Sequence, residues 1–290
     1  MFDPSRLVIS AFIDQLLAAY QETFGDAEPH FPGLISRAAH MAMENIANTD
    51  ALYHNVEHTI MVTLVGQEML KGKHLREGSV TPRDWLHTVV SLLCHDIGYI
   101  RGVLPGDRRG EYVIDFKGRT VSVPPGATDA FLTPHHVTRG QIFIHQRFRD
   151  HAYIDPKVVA ENIEYTRFPV PADAAAGYKG YPGLVGAADL VGQMADPHYI
   201  RKLPALFHEF AETGAAAHMG YTTPDDLRAG YPKFYWSMVS AFVGDGLGHL
   251  SVTQQGRQWI ASLYAQIFAE EERPDRAEDP APAHAPAQVA

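Results

Sequence analysis

The sequence predicts an all-α fold, a helical bundle with one short β-hairpin inserted into it. Three observations carry that reading. Thr or Asp followed by Pro opens a helical pattern at Thr81-Pro82, Thr133-Pro134, Asp155-Pro156 and Thr223-Pro224. Each pairs a side chain that caps a helix with a first-turn residue that needs no N–H. Between these starts the apolar residues recur at helical spacing, and the one exception is the stretch 101–133.

The elements follow in order. After Asn55 come Val56, Ile60, Val62, Leu64 and Val65, one helix. After Thr81 come Trp85, Leu86, Val89, Val90, Leu92 and Leu93, stopping at Gly98, which reads as a buried helix carrying His95-Asp96 on its last turn. Within 101–133, Glu111–Phe116 and Thr120–Val123 flank Lys117-Gly118-Arg119, a hairpin about a glycine turn, and Pro124-Pro125-Gly126 closes the loop. Helical patterns resume after Pro134 (Val137, Ile142, Phe143, Ile144) and from about Ser251 to Ala269. Gly-Tyr-Pro recurs at 180 and 230 without matching flanks, so there is no internal repeat. The expected organisation is a single domain over 1–270, with residues 271–290, Ala/Pro-rich, a disordered tail.

Composition bounds the function. The 290 residues hold 24 Lys and Arg against 34 Asp and Glu, a net charge of -10, so generic nucleic-acid binding is not expected. Cys94 is the only cysteine, which excludes an internal disulfide. The first residues lack the basic segment and apolar run of a signal peptide, and no run approaches the roughly 18 apolar residues of a membrane span. The expected compartment is the cytoplasm, with no membrane partner and a homo-oligomer left open.

The chemistry lies in the 16 histidines. His54 and His58 stand four apart and share one side of a helical turn. His95-Asp96, His135-His136 and Asp189 follow. Imidazole with carboxylate suits Fe, Mn, Zn, Ni or Co, and a carboxylate beside a histidine ligand can bridge two ions. A charged pair after Ser91-Leu92-Leu93-Cys94 is costly to bury unless paired or bound to metal. Asp189 reads as a ligand or as a solvated helix residue. His135-His136 reads as a solvent-facing pair at a helix start or as a source of one ligand at most, since adjacent helical residues point about 100° apart; His136 is favoured and His135 is left for the rim. His30, His40, His74, His87, His218, His249 and His284 lack such partners and read as structural or exposed.

His58, His95-Asp96 and Asp189, spread over helices, resemble the HD superfamily of metal-dependent phosphohydrolases over roughly residues 50–210. Tyr53–His58, Thr133–His136 and Ala188–Leu190 are similar, more closely, to motifs of cyclic nucleotide phosphodiesterases. The resemblance implies a helical bundle around one or two metal ions, with Mg a further candidate for the second. It implies His54 as general acid and His58, His95, Asp96 and Asp189 as ligands. Asp96 would bridge, and His135-His136 would lie near the second metal and its waters. Two departures bear on specificity: Tyr99 stands where those phosphodiesterases carry a histidine, and Phe234–Val243 lacks their purine-clamping glutamine. HD-GYP enzymes are similar in outline, but their His-His-Glu block is missing before Gly180-Tyr181-Pro182.

Arg101, Arg139 and Arg167 lie near these motifs. They are candidate phosphate ligands through the guanidinium fork, with a salt bridge as the other reading. With His135 they make up the expected substrate-binding set. Gln193, four residues after Asp189 on the same helix face, is expected to support that carboxylate. The expected function is hydrolysis of a small nucleotide-like or other organic phosphate, a diester or a monoester, by metal-activated water with His54 protonating the leaving group. Two rivals are an HD-fold di-iron oxygenase, which calls for more histidines at the second iron, and a non-catalytic ligand-binding module. The loop 101–133, pinned at both ends beside the proposed metals, reads as a lid or binding loop or as a plain solvated hairpin.

Overall fold

The computed structural model describes residues 4–170 and 178–273. It is mostly helical: α1 Pro4–Phe24, α2 Phe31–Ile46, α3 Val56–Glu77, α4 Pro82–Cys94, α5 His136–Arg147, α6 Pro156–Glu164, α7 Gly180–Met194, α8 Tyr199–Glu212, α9 Ala215–His218, α10 Pro224–Phe234, α11 Ser240–Leu250 and α12 Gln254–Glu271. One π turn, Tyr235–Val239, joins α10 to α11. Of the expected tail 271–290, Glu271 is the last residue of α12 and the residues beyond Arg273 lie outside the described ones; among the described residues no helix is long and apolar enough to cross a membrane.

Local chemistry sets the helix starts. Thr81 and Thr223 form capping boxes with Asp84 and Asp226, and Asp155 accepts from the Lys157 N–H. These leave few first-turn amides unsatisfied. The middle of the bundle is α4, buried on every side from Trp85 to Cys94 and packed against α2, α3, α6 and α7. Cys94 is inert there, since burial pushes its thiol up to about 12.

Two expected boundaries move. The helix α4 ends at Cys94, so His95 is its C-cap and Asp96 lies beyond it, ahead of a 3-10 turn at Ile97–Tyr99. The tightening brings this turn against α5: a Cβ on Gly98 would stand 1.8 Å from the His136 carbonyl oxygen, so only glycine permits the approach. Thr133-Pro134 does not open a helix. The Thr133 hydroxyl donates backward to the Ala130 carbonyl at 2.6 Å instead of capping forward. Pro134 therefore sits inside a 3-10 stretch, Asp129–His135, capped by Thr128, and α5 starts at His136.

The hairpin is present as β1 Glu111–Val113 and β2 Thr120–Ser122, antiparallel with Tyr112 opposite Val121. It is fastened by Arg139, which sequence placed at the substrate. Arg139 is fully buried. Its guanidinium donates to the carbonyls of Gly98 (2.7 Å), Ile100 (2.9 Å) and Val113 and forms a two-pronged pair with Asp107 at 3.0 and 3.1 Å. A charged side chain at this depth needs every donor matched, and this one ties the turn after Asp96 to the hairpin. Arg139 is thus a structural cation with no face toward a ligand.

Candidate metal centre

Four helices and one turn deliver the polar cluster. Asn55 caps α3 by accepting from the N–H groups of Glu57 (2.9 Å) and His58 (3.4 Å), which fixes His58 in the first turn. His95 and Asp96 leave the end of α4, and Asp189 projects from the middle of α7. The Nδ1–H of His95 donates to the Leu92 carbonyl at 2.7 Å, which leaves its Nε2 lone pair facing inward. His136 is set the same way, Nδ1 to the Thr133 carbonyl at 2.6 Å.

The inward atoms converge. His58 Nε2 is 3.2 Å from His95 Nε2, 3.2 Å from Asp96 Oδ2 and 3.4 Å from Asp189 Oδ1. His95 Nε2 is 3.1 Å from Asp96 Oδ2 and 3.7 Å from Asp189 Oδ1. Ligand atoms about 2.1 Å from one transition-metal ion stand about 3.0 Å apart at right angles and about 3.4 Å apart in a tetrahedron. Four of the five separations, 3.1 to 3.4 Å, fall in that range, and the fifth, His95 Nε2 to Asp189 Oδ1, is wider at 3.7 Å. Asp96 Oδ2 is buried without a hydrogen-bond partner, as expected of an oxygen placed for a cation. Two imidazoles and two carboxylates are the donor set of Fe, Mn, Zn, Co or Ni. These residues could therefore hold a metal ion. The other oxygen, Asp96 Oδ1, lies 3.8 Å from His136 Nε2.

Electrostatics agree. Burial disfavours a charged His58, yet the Asp189 and Asp96 carboxylates outweigh it and lift the imidazole to about 10. The same balance raises His95 through Asp96, while His95 and His58 overcome burial to hold Asp96 far down in the ionised form. A cluster that binds a proton this tightly has a net demand for positive charge. His136 differs: burial lowers it to about 4, which keeps its imidazole neutral.

His54 stands at the mouth with 15% of its side chain exposed, its Nδ1 2.5 Å from Oε2 of the buried Glu209. Oε1 of Glu209 accepts the backbone N–H groups of Tyr53 (2.6 Å) and His54 (3.3 Å). Burial works against ionising Glu209, but the His54 charge and these hydrogen bonds lower it. The ring of Tyr99 lies between two imidazoles, stacked at 4.6 Å on His54 and 4.5 Å on His136. The donor atoms of His54, His58 and Asp96 also gather within 4.8 Å.

The other expected residues fall as follows. His135 is half-buried at the rim, its imidazole lowered by burial and by Arg139. Arg101 has its fork taken by Asp129 (2.5 Å) and Asp50, and Arg167 is paired with Glu164 at 2.6 Å. Gln193 donates to the Tyr199 hydroxyl at 3.1 Å, so its hydrogen bond goes to Tyr199, whose ring packs 6.2 Å from Tyr53. Sequence reading missed Glu209. Its signal was a carboxylate inside the apolar stripe of Leu203, Leu206 and Phe207 on α8.

The sequence model of the Npun_R2479-like family matches residues 2–273. The chain belongs to that family. The match spans every element described above, so the His58, His95, Asp96 and Asp189 cluster and the His54-Glu209 pair both lie within the part of this Npun_R2479-like protein that the family defines. No curated protein matches the chain.

Proposed function

We propose that this Npun_R2479-like protein is a metal-dependent phosphohydrolase of the HD type, acting on a phosphodiester of a small nucleotide-like or other organic alcohol. The observation that carries the reading is the convergence of His58, His95, Asp96 and Asp189 on one point, with a carboxylate-backed imidazole at its mouth. A divalent ion held by those four side chains supplies Lewis acidity toward water and the phosphoryl oxygens.

The rest falls to the chain's own side chains. Glu209 accepts from Nδ1 of His54, so the opposite nitrogen, Nε2, is the one turned to a departing alkoxide as its proton donor. Tyr99 keeps that ring parallel to its own face at 4.6 Å, which restricts His54 to one orientation. The charge balance favours a diester. Arg101, Arg167 and Lys202 are each matched by carboxylates, and Arg139 is buried. A diester brings one negative charge where a monoester brings close to two, so it needs less cationic help from the protein.

The test is hydrolysis of bis(4-nitrophenyl) phosphate and 4-nitrophenyl phosphate by protein reconstituted with Mn, Fe, Zn, Ni, Co or Mg. Faster turnover of the diester, abolished by chelation and restored by metal, is expected. Absence of phosphoester hydrolysis with every metal, or oxygen consumption by the iron form alone, overturns the reading.

A further inference from the structure

The C-terminal end of α3, the start of α7 and one face of α11 enclose a cavity of about 340 Å³, within the size range of small-molecule sites. It is separate from the metal cluster. Lys73, on its wall, is fifteen residues beyond His58 along α3, about 22 Å at 1.5 Å per residue.

Its lining suits an anion. Lys73 is neutralised by Glu77 at 2.5 Å. Arg76 and Lys179 also line it, and among the described residues neither has a hydrogen-bond or ion-pair partner. The 15-residue helix α7 opens into it from Lys179 with no side chain capping its first amides, which leaves a partial positive charge there. His249 lines the same cavity with 8% exposure, and its buried Nδ1 has no hydrogen-bond partner. Burial, with Lys73 second, holds this imidazole below its ordinary range; its Nε2 lies 3.8 Å from Glu77 Oε1, and Nδ1 is the ring nitrogen left unpartnered.

Part of the wall from α11 is bare backbone. Gly244 and Gly248, one turn apart, both face the cavity. A Cβ on Gly244 would meet nothing within 4 Å, and one on Gly248 would meet only Arg76 Nη1, at 3.5 Å. Glycine is a poor helix former and packing does not require it at Gly244. An open backbone lets a ligand approach. Asp245, also on the wall and without a partner among the described residues, is an acceptor for hydroxyl groups.

We propose that this cavity is a second binding site, for a small phosphorylated compound bearing hydroxyls, of the sugar phosphate or nucleoside monophosphate class. Arg76, Lys179 and the first amides of α7 receive the phosphoryl group, Asp245 accepts from the hydroxyls, and the rest lies along Gly244 and Gly248.

Calorimetric titration of the full chain with ribose 5-phosphate, adenosine 5′-monophosphate and inorganic phosphate tests this. One-to-one binding of at least one organic phosphate, tighter than inorganic phosphate, is expected; the better of the two tells which class the site takes. The double variant Arg76→Gln/Lys179→Gln should bind at least about tenfold more weakly. Gly244→Leu, which improves helix propensity and fills the space, should keep its helical circular dichroism and lose binding. Asp96→Ala should bind as the parent does, which separates this site from the metal centre. Absence of saturable binding up to about 10 mM, unchanged binding in both cavity variants, inorganic phosphate binding as tightly as the organic probes, or loss of binding in Asp96→Ala overturns the proposal.

Discussion

Nδ1 of His54 and Oε2 of Glu209 stand 2.5 Å apart, and the other oxygen of that carboxylate takes the backbone N–H groups of both Tyr53 and His54. One buried side chain thus fixes the position of the loop ahead of α3 and the proton on its histidine. His54→Ala removes the proton donor and leaves all four converging donor atoms in place. Metal content should stay, and turnover on a substrate with a poor leaving group should fall by about 10²- to 10⁴-fold. The loss should be smaller on a nitrophenyl ester, whose leaving group needs no proton. Equal losses on both substrates would remove His54 from the acid role.

Glu209→Gln tests the pair from the other side. An amide has one oxygen where the carboxylate has two, so either the backbone N–H groups of Tyr53 and His54 or the His54 Nδ1–H loses its acceptor, and a drop in turnover of about 10- to 100-fold is expected. Stability carries a second signature. Glu209 is held below its ordinary 4.5 in the folded chain, so the folded state binds fewer protons than the unfolded one there. Its contribution is present above the unfolded value and is lost as pH falls through the folded one. Denaturant melts below about pH 4.5 should show the parent losing stability more steeply than Glu209→Gln. Parallel curves would show that the carboxylate is not ionised through this contact.

Asp96 is the group on which the metal reading turns, because one of its oxygens sits among His58, His95 and Asp189 and the other faces His136. Asp96→Ala should lose metal affinity by about 10- to 100-fold or more and come through chelator dialysis empty, with its helical circular dichroism intact. Full metal content measured by plasma emission after that dialysis would remove Asp96 from the ligand set.

Much of this was legible in the sequence because it depends on local rules. Capping residues followed by proline marked α4, α6 and α10, since a cap is satisfied within one turn whatever packs around it. The hairpin was legible for the same reason. The cluster His58, His95, Asp96 and Asp189 was legible as residue types, but its convergence was not, because it depends on how α3, α4 and α7 cross. Tertiary partners decided the rest. Thr133 looked like a cap and turned its hydroxyl back to Ala130. Arg101, Arg139 and Arg167 looked like phosphate ligands and are engaged by Asp50, Asp129, Asp107 and Glu164, all of which the fold had to bring up. Glu209 lay 155 residues from His54, beyond any spacing rule.

Arg139 gives the last prediction, because its two readings differ in what they measure. A substrate ligand on the rim would raise KM when removed and leave stability alone. The structure makes it a fully buried cation matched by Asp107 and three carbonyls, so removing it strands a buried carboxylate and frees three acceptors. Breaking a buried pair from one side costs about 3–5 kcal/mol, and Arg139→Ala should lose stability of that order in denaturant melts. Arg139→Leu/Asp107→Leu removes both charges together and should recover part of the loss, since apolar groups of similar size remove the need for pairing. The hairpin depends on the same bond: Val113 offers its carbonyl to Arg139 and its side chain to the core. Replacing 108–123 with a Gly/Ser linker should therefore destabilise the fold, whereas shortening only the tip, 115–118, should not. That outcome would make the loop a rigid wall beside the metal centre and not a lid. Unchanged stability in Arg139→Ala together with a raised KM for a phosphodiester would restore the substrate role and the moving lid.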